Sequence, residues 1–447
     1  MRPVTGALSF GAEILPCRLY PGITRADRAS LRSYSIPIKL QTDRVDMLPS
    51  RNDRRSEGAL VAPSHSLAAP RWRVRPLDVL FVLSDAFGGF GGIAKFNRDF
   101  LTALDSCEVV ERVHALPRLI SSSIEGTIPG SVAYERRAAG GKLPFILRFA
   151  SHLVRPQRAN LVICAHLNLL LPAWVYARTR AARLALIVHG LEAWTPRPWV
   201  RLLASRIDTL IAVSRHTAET FATWSGIGRE RTYILQNCVD LDRFIPGKRD
   251  AGLAARYRLA GSRVLLTVGR LSAEERYKGV DAVIEAMPRL LARFPDLKYL
   301  VVGDGSDRPR LAAKSAALGV ADRVVFAGTV TEAEKVAHYN LADAYVMPSF
   351  GEGFGIVLIE AAACGIPVVG SRADGSREAL LDGRLGQLVD PHSQDELVEA
   401  IAGVLNAGDA RRRNALVRTF SVENFAARVA EWVRAQSDEI ARAEMTE

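Results

Sequence analysis

The sequence predicts an α/β protein with two doubly wound, Rossmann-like domains that face each other across a cleft. Three observations support this prediction: the length of 447 residues, two successive series of short apolar runs alternating with helical periodicity, and a turn-rich junction between the series. A single hydrophobic core stops growing at roughly 250 to 300 residues, so a chain of this length is expected to form two domains. Uninterrupted apolar runs are typical of parallel strands that helices cover on both faces.

The composition along the chain predicts four segments. Residues 1–75 mix Pro, Ser, Arg and Asp without apolar periodicity, which indicates a disordered N-terminal extension. Residues 76–245 and 246–420 are predicted to be the first and second Rossmann-like domains, because the turn-rich junction ends in Pro246-Gly247. Residues 421–447 are predicted to form a terminal helix and tail.

Both domains are expected to contain parallel strands separated by helices. The predicted strands are 78–83, 161–165, 184–188 and 209–213 in the first domain, and 263–268, 299–302, 324–327, 344–346 and 367–369 in the second. The predicted helices include 278–293, 356–363 and 421–441. Ligands of doubly wound sheets bind beyond the carboxyl ends of the strands, so site residues are expected in the loops that follow the strands.

Charge and cysteine usage narrow the function classes. The net charge is +11, but the first 75 residues hold 13 of the 59 basic and only 6 of the 48 acidic residues, so most of the excess belongs to the extension. No compact basic domain with interleaved aromatics follows, which argues against nucleic-acid binding. The five cysteines are scattered without CxxC spacing, as expected of a cytoplasmic protein without disulfides or a zinc site. We find neither a secretory signal nor an apolar run of about 18 residues, and therefore expect a cytoplasmic location.

A glycine-rich loop in the second domain offers the strongest functional signal. The run Ser349-Phe350-Gly351-Glu352-Gly353-Phe354-Gly355 follows a predicted strand and opens a predicted helix that carries Glu360. Backbone N–H groups at such a helix start bind phosphate or sugar oxygens. Glu352 can accept hydrogen bonds from sugar hydroxyls, and Glu360 can accept them from a pair of hydroxyls such as those of a ribose. Solvated carboxylates would explain either residue alone, but the combined loop, spacing and fold position favour a binding site.

Two cations follow the first strand of the second domain. Arg270 comes directly after Gly269, and Lys278 precedes Gly279 at a helix start. Both emerge at the carboxyl end of the sheet, where together they can clamp a diphosphate without a metal ion.

The first domain contains a second glycine-rich loop, in which Gly89-x-Gly91-x-x-Ala94 satisfies the dinucleotide-binding pattern. An NAD-dependent dehydrogenase is therefore an alternative. That pattern also needs an acidic residue at the end of a second strand, and Glu108 and Glu111 lie in a stretch with weak strand character. The same loop can instead face a donor phosphate or an incoming acceptor.

His189 follows a predicted strand and can hydrogen-bond a reacting sugar or assist proton transfer. His166 and Asn168 occupy the analogous place after the preceding strand and are candidates for acceptor contacts. No HxxxH motif or carboxylate triad accompanies them, so no metal ion is predicted. Residues 142–155 are apolar with basic residues at intervals, which is compatible with a helix on an anionic membrane or with an ordinary helix packed on the sheet.

Together these motifs resemble glycosyltransferase family 4 (group 1), whose members have the GT-B fold. The resemblance extends from about Leu77 to the terminal helix. It implies a retaining, metal-independent hexosyltransferase without a cofactor, which uses a nucleotide-diphosphate sugar as donor and a glycan, lipid-linked or similar molecule as acceptor. It also implies that the terminal helix crosses back to the first domain, which would be the acceptor side, while the second domain binds the donor.

The resemblance assigns roles to the candidate residues. Those implied to take part in the reaction or to hold the donor diphosphate and sugar are His189, Arg270, Lys278, Glu352 and the amides of Gly353, Phe354 and Gly355. It also implies that Glu360 takes the ribose hydroxyls and that Gly91 or Gly92 approaches the phosphate or acceptor. Two further candidates come from position alone: Val330, in the region expected to discriminate the base and sugar, and Asn168 on the acceptor side. The family has no securely established side-chain nucleophile, and none is assigned here.

One departure from the family pattern is the loop between Arg270 and Lys278, which is longer than in many members and makes Arg276 an alternative to Lys278. Two other reaction classes share the fold, a nucleotide-sugar 2-epimerase and a sugar phosphorylase. An epimerase would need further acids and bases facing the sugar ring, which the sequence does not identify.

Overall fold

The computed structural model describes residues 76–121, 124, 127–408 and 413–446, so the predicted extension, residues 1–75, lies outside the described residues. The first sheet consists of β1 Leu77–Leu83, β2 Val110–Pro117, β3 Val132–Tyr134, β4 Leu161–Cys164, β5 Arg183–Val188, β6 Thr209–Ala212 and β7 Thr232–Ile234. The second sheet consists of β8 Val264–Val268, β9 Lys298–Val302, β10 Val324–Gly328, β11 Ala344–Met347, β12 Val368–Ser371 and β13 Gln387–Val389.

Helices separate the strands. Those associated with the first sheet are α1 Gly92–Asp105, α2 Lys142–Val154, α3 Leu170–Arg180, α4 Leu191–Trp194, α5 Pro198–Ala204 and α6 Arg215–Ser225. Those that follow are α7 Ala251–Arg256, α8 Val280–Arg293, α9 Arg308–Ala317, α10 Lys335–Tyr339, α11 Ile356–Ala363, α12 Ser376–Ala379, α13 Gln394–Asn406 and α14 Val422–Thr446.

Both sheets are parallel and doubly wound, as predicted. The strand order is β3-β2-β1-β4-β5-β6-β7 in the first sheet and β10-β9-β8-β11-β12-β13 in the second. In each sheet the chain runs outward from a central strand and then returns to pair on its other side, with β1 beside β4 and β8 beside β11. The order therefore reverses at these strands, which is where doubly wound sheets form their ligand crevice.

Every predicted strand lies within two residues of an observed one at each end. The central strands are buried along their whole length, as the five consecutive buried residues of β8 show. Four strands were not predicted. In β2 the second and third residues, Glu111 and Arg112, are charged and exposed, and β3, β7 and β13 have only three residues each, so the apolar signal of these strands is short.

The predicted helix 278–293 begins two residues late, at Val280. Lys278 instead ends a short 3₁₀ helix, Ala273–Lys278, and Gly279 separates the two helices with φ +78°. A residue with a Cβ is strained in this left-handed region, so glycine allows the change of direction here. Lys278 therefore lies at the hinge between two helices.

The terminal helix α14 crosses back to the first domain, as predicted. Its Phe425 packs edge-on against Phe96 and Phe100 of α1, with ring centroids 5.5 and 6.4 Å apart. Its Trp432 packs against Phe100 at 6.1 Å. Ser421 starts the helix by accepting the backbone N–H of Asn424 on its hydroxyl. No helix among the described residues has both the length and the apolar character needed to span a bilayer.

Candidate active site

A cleft of about 670 Å³ opens at the carboxyl ends of the two sheets. The loops that follow β1, β5, β8 and β11 line it. The structure places ten of the twelve predicted residues along its wall: Gly91, Gly92, His189, Arg270, Lys278, Glu352, Gly353, Phe354, Gly355 and Glu360. The remaining two, Asn168 and Val330, lie outside this wall. Asn168 is exposed and accepts a hydrogen bond from Arg197, and Val330 packs against a core cluster with residues from both domains.

The glycine-rich loop before α11 is fixed by the first domain. The hydroxyl of Ser214, at the start of α6, donates a hydrogen bond to the Gly353 carbonyl oxygen at 2.6 Å, and the Thr217 hydroxyl donates to the same oxygen at 3.3 Å. A Cβ on Gly353 would overlap the His189 carbonyl group, so only glycine fits this close approach. The loop that is predicted to hold the sugar is thus in direct contact with the opposite wall.

Glu352 presents a carboxyl group with an unusual proton affinity. The pKa of Glu352 is raised to about 7, chiefly by burial and with smaller contributions from Asp374 and Glu275, while Lys278 opposes the increase. Its backbone N–H donates to Asp374 Oδ2 at 2.8 Å, and Asp374 also accepts from Ser349 at 2.8 Å. Asp374 therefore fixes the backbone on which Glu352 is carried. It was not identified from the sequence, where no local motif distinguishes it.

The two predicted cations converge on one carboxylate, Glu275. Lys278 Nζ donates to Glu275 Oε2 at 2.5 Å, and Arg270 forms an ion pair with the other oxygen. Arg276, the alternative to Lys278, points elsewhere and donates to Asp307 at 2.7 and 3.0 Å. Of the two, it is Lys278 that lies on the cleft wall.

His189 is held at the end of β5. Its Nε2 lies 3.1 Å from the Ala165 carbonyl oxygen, and its ring packs edge-on against Phe96 at 5.1 Å. Because a carbonyl oxygen only accepts, Nε2 carries the proton and Nδ1 of the neutral ring is an acceptor. Burial lowers the pKa of His189, which favours this neutral form. His166, the weaker acceptor candidate, also lines the cleft.

Glu360 is fully buried at the inner end of the cleft. Tyr339 donates to its Oε2 at 2.8 Å, and Lys335 Nζ lies 3.2 Å from both carboxylate oxygens. A buried carboxylate is stable only when it is paired and hydrogen-bonded, and these two partners satisfy that requirement. A carboxylate has about four acceptor positions, so further hydroxyl groups can still be bound. Neither Tyr339 nor Lys335 was identified from the sequence.

The glycine-rich loop after β1 lacks the acidic partner that a dinucleotide site needs. The stretch with weak strand character does form a strand, β2, but its carboxyl end is followed by Arg118 and Leu119. Glu111 lies near the opposite end of that strand. The acidic residue that a dinucleotide site requires at the end of its second strand is therefore missing, which argues against the dehydrogenase alternative.

One group of described side chains outside the cleft has the composition of a metal site: His114, Glu135 and His152. Arg155 already places a guanidinium nitrogen 3.0 Å from Glu135 and 2.9 Å from His152 Nε2. With His152 and Arg155 as partners, the pKa of Glu135 falls to about 2 although burial alone would raise it. An internal cation thus occupies this cluster.

Two family models match the chain on either side of the domain junction. Residues 90–243 match the glycosyltransferase family 4 model, and residues 255–439 match the model of glycosyl transferases group 1. Among solved structures, HepE of Anabaena in complex with UDP-glucose matches with a TM-score of 0.64 at 20% identity, covering 80% of this chain and 99% of that one. Sucrose-phosphate synthase of Thermosynechococcus elongatus matches with a TM-score of 0.59 at 21% identity, covering 82% and 99%. These structures share the fold.

Curated relatives are more similar in sequence. A GDP-mannose-dependent α-(1-6)-phosphatidylinositol monomannoside mannosyltransferase of Mycolicibacterium smegmatis is 35% identical over 54% of this chain and 64% of its own length. The protein of that name in Mycobacterium tuberculosis is 32% identical over 59% of this chain and 71% of its own length. A D-inositol 3-phosphate glycosyltransferase of Catenulispora acidiphila is 35% identical, and the match covers 47% of this chain and 52% of that protein.

The family models, the relatives and the two-domain cleft agree with one another. The chain belongs to the group 1 glycosyltransferases, family 4, and thus to a family of transferase enzymes with the GT-B fold.

Proposed function

We propose that the protein is a retaining, metal-independent hexosyltransferase that uses a nucleotide-diphosphate sugar. The observation that carries this proposal is the convergence of Glu352, the paired cations Arg270 and Lys278, and His189 on one cleft. These residues supply an acceptor for sugar hydroxyls, positive charge for a leaving diphosphate, and a neutral imidazole beside them. No cofactor is required by this arrangement of roles.

The proposed donor roles follow from chemistry and position. Arg270 and Lys278 stabilise the negative charge that develops on the departing diphosphate, which is the task a metal ion performs in other transferases. Glu352 and the amides of Gly353, Phe354 and Gly355 bind the sugar. Glu360, further along α11, takes the ribose hydroxyls. Val330 lies on the loop after β10 and is proposed to contact the base.

His189 is proposed to contact the transferred hexose, and Gly91 and Gly92 to let the acceptor or a phosphate approach the start of α1. Asn168, which lies outside the cleft wall, is proposed to contact a larger acceptor at the rim. We propose retention of the anomeric configuration, the stereochemical course implied by the family. NMR of the first product formed distinguishes retention from inversion.

The acceptor is proposed to be a glycan or lipid-linked molecule reached at a membrane surface. On α2, Phe145, Phe149 and His152 are buried, whereas Leu143, Ile146, Leu147 and Val154 are between 58% and 81% exposed. Four basic residues within or close in sequence to this helix are exposed: Arg136, Arg137, Lys142 and Arg158. An amphipathic helix with a basic border binds anionic bilayers by combining apolar burial with charge attraction. We propose that the protein is cytoplasmic and works on the inner membrane face.

The test is a panel of nucleotide sugars, begun with GDP-mannose because two relatives carry that donor in their names. One donor or its diphosphate should raise the melting temperature and support transfer, with activity unchanged by EDTA. Glu352→Ala should abolish transfer while circular dichroism stays that of the folded protein. Stabilisation by NAD alone, or full activity of Glu352→Ala, would refute the proposal.

A second candidate, a nucleotide-sugar 2-epimerase, predicts conversion of the donor without any acceptor. Chromatography of the reaction without acceptor therefore separates the two functions. A sugar phosphorylase is distinguished in the same assay by its dependence on inorganic phosphate.

A further inference from the structure

Glu275 lies between the two cations that are proposed to hold the donor diphosphate. Each carboxylate oxygen has one of them: Lys278 Nζ at 2.5 Å on Oε2, and the Arg270 guanidinium on Oε1. The Glu275 side chain is 12% exposed and that of Lys278 is 13% exposed, whereas that of Arg270 is 71% exposed. The positive charge of the cleft is therefore partly neutralised by the protein itself.

A diphosphate would compete with Glu275 for the same hydrogen-bond donors. It carries at least two negative charges, and Glu352 already adds a carboxyl group whose pKa Glu275 helps to raise. A carboxylate that remained between the cations would repel the phosphate oxygens. The mostly exposed Arg270 can change its conformation, and Glu275 itself has a non-helical backbone (φ −111°, ψ 22°) within the short helix.

We propose that Glu275 is an internal anion that takes the place of the diphosphate in the donor-free enzyme and is displaced when the donor binds. This inference depends on the proposed function, because it assigns the displaced position to a nucleoside diphosphate. Glu275 lies in the loop between Arg270 and Lys278 and pairs with both of these cations. Because Glu275 pairs with both cations, it weakens nucleotide binding and, after transfer, competes with the product diphosphate for its site.

The test compares nucleoside diphosphate affinity in three proteins by isothermal titration calorimetry, with UDP, GDP, ADP and dTDP as probes. Glu275→Gln keeps the shape of the side chain but removes its charge. Removing that charge should lower the Kd of the best diphosphate about 10- to 150-fold, which corresponds to the roughly 1.5 to 3 kcal/mol of a charge-assisted hydrogen bond. Glu274→Gln is the matched control, because the adjacent Glu274 is exposed on the same loop and forms no ion pair with the residues that the structure describes. Its Kd should change less than about twofold.

The opposite result has an equally clear meaning. If Glu275 instead positions Lys278 for the phosphate, Glu275→Gln should weaken diphosphate binding and raise the donor KM. An unchanged or increased Kd overturns the inference while leaving the proposed function intact. Wild-type protein that binds no diphosphate of the panel overturns the proposed function and the inference together.

A second variant, Glu275→Asp, keeps the charge but shortens its reach. It should give a Kd between those of the wild type and Glu275→Gln, and circular dichroism checks that each variant is folded. A Glu275→Asp Kd above that of the wild type would contradict displacement.

Discussion

Replacing Glu352 by Gln is expected to inactivate the enzyme and at the same time to stabilise the donor-free protein. The pKa of Glu352 is about 7 in the folded chain, against an ordinary value of 4.5, chiefly because burial disfavours the charged form. This difference between the two pKa values corresponds to a free-energy difference of about 3 kcal/mol between the protonated and ionised forms of Glu352. Cleft water reaches the half-buried side chain and screens part of that amount, so a gain of about 1 to 3 kcal/mol is expected. Gln resembles the neutral carboxyl group and avoids the cost of ionisation.

The free energy of unfolding of the wild type should depend on pH in a direction that the raised pKa of Glu352 determines. Between pH 4.5 and 7 the unfolded chain ionises Glu352 while the folded chain keeps it protonated, so the folded state binds more protons. The wild type therefore loses stability as pH rises through this window, and Glu352→Gln does not. The two proteins should be about equally stable near pH 4.5, with the full difference present above pH 7.

Urea unfolding of both proteins at pH 5 and pH 8, followed by circular dichroism, measures the difference. Glu274→Gln serves as the control, because its side chain is exposed and its replacement should not change the free energy of unfolding by more than about 0.5 kcal/mol. Equal stability of Glu352→Gln and the wild type at pH 8, or a gain of the same size at both pH values, would refute the reasoning. Loss of transfer in the same variant links the stability cost of Glu352 to its binding role.

Three further predictions concern the loop cations, the domain contact and the membrane. Lys278→Ala should lower kcat/KM for the donor about 10- to 100-fold, because a charge-assisted contact with the diphosphate is lost. Arg276→Ala should change kcat/KM less than about threefold. A larger loss in Arg276→Ala than in Lys278→Ala would make Arg276 the phosphate ligand. Gly353→Ala forces a Cβ into a carbonyl of the first domain and should lower the free energy of unfolding by about 1 to 3 kcal/mol, measured by thermal or urea unfolding. If the variant is as stable as the wild type, the close contact is absent in solution. Ile146→Gln combined with Leu147→Gln should reduce co-flotation with phosphatidylglycerol vesicles about tenfold or more without lowering transfer to a water-soluble acceptor. The control Leu202→Gln, at an exposed leucine of α5, should leave flotation unchanged, and unchanged flotation of the double variant would exclude α2 as the membrane contact.

The sequence predicts the central strands well because they are buried on both faces and therefore read as continuous apolar runs. It misses β2, whose exposed residues Glu111 and Arg112 interrupt the apolar pattern, and it misses the three-residue strands at the sheet edges. Helix α8 begins later than its periodicity indicates because Gly279 turns the backbone before it. Local signals thus locate the interior of the fold better than its edges.

For the site, the sequence predicts the residues that sit in a local motif and misses those that depend on contacts between distant segments. Glu352 and Lys278 follow strands and adjoin glycines, and both line the cleft. Ser214 contacts a carbonyl 139 residues away, and Asp374 binds a backbone amide 22 residues away. Glu275 carries no sequence signal of its own.

The hydrogen bonds from Ser214 and Thr217 to the Gly353 carbonyl make donor binding and cleft closure parts of one equilibrium. A donor that prefers the closed arrangement of this loop shifts the population toward closure, and closure must raise donor affinity by the same factor. A hydroxyl in the first domain can thus tune affinity in the second without touching the donor. Each domain therefore contributes to the occupancy of the other, and the Gly353 carbonyl oxygen is one of the contacts through which the two domains are coupled.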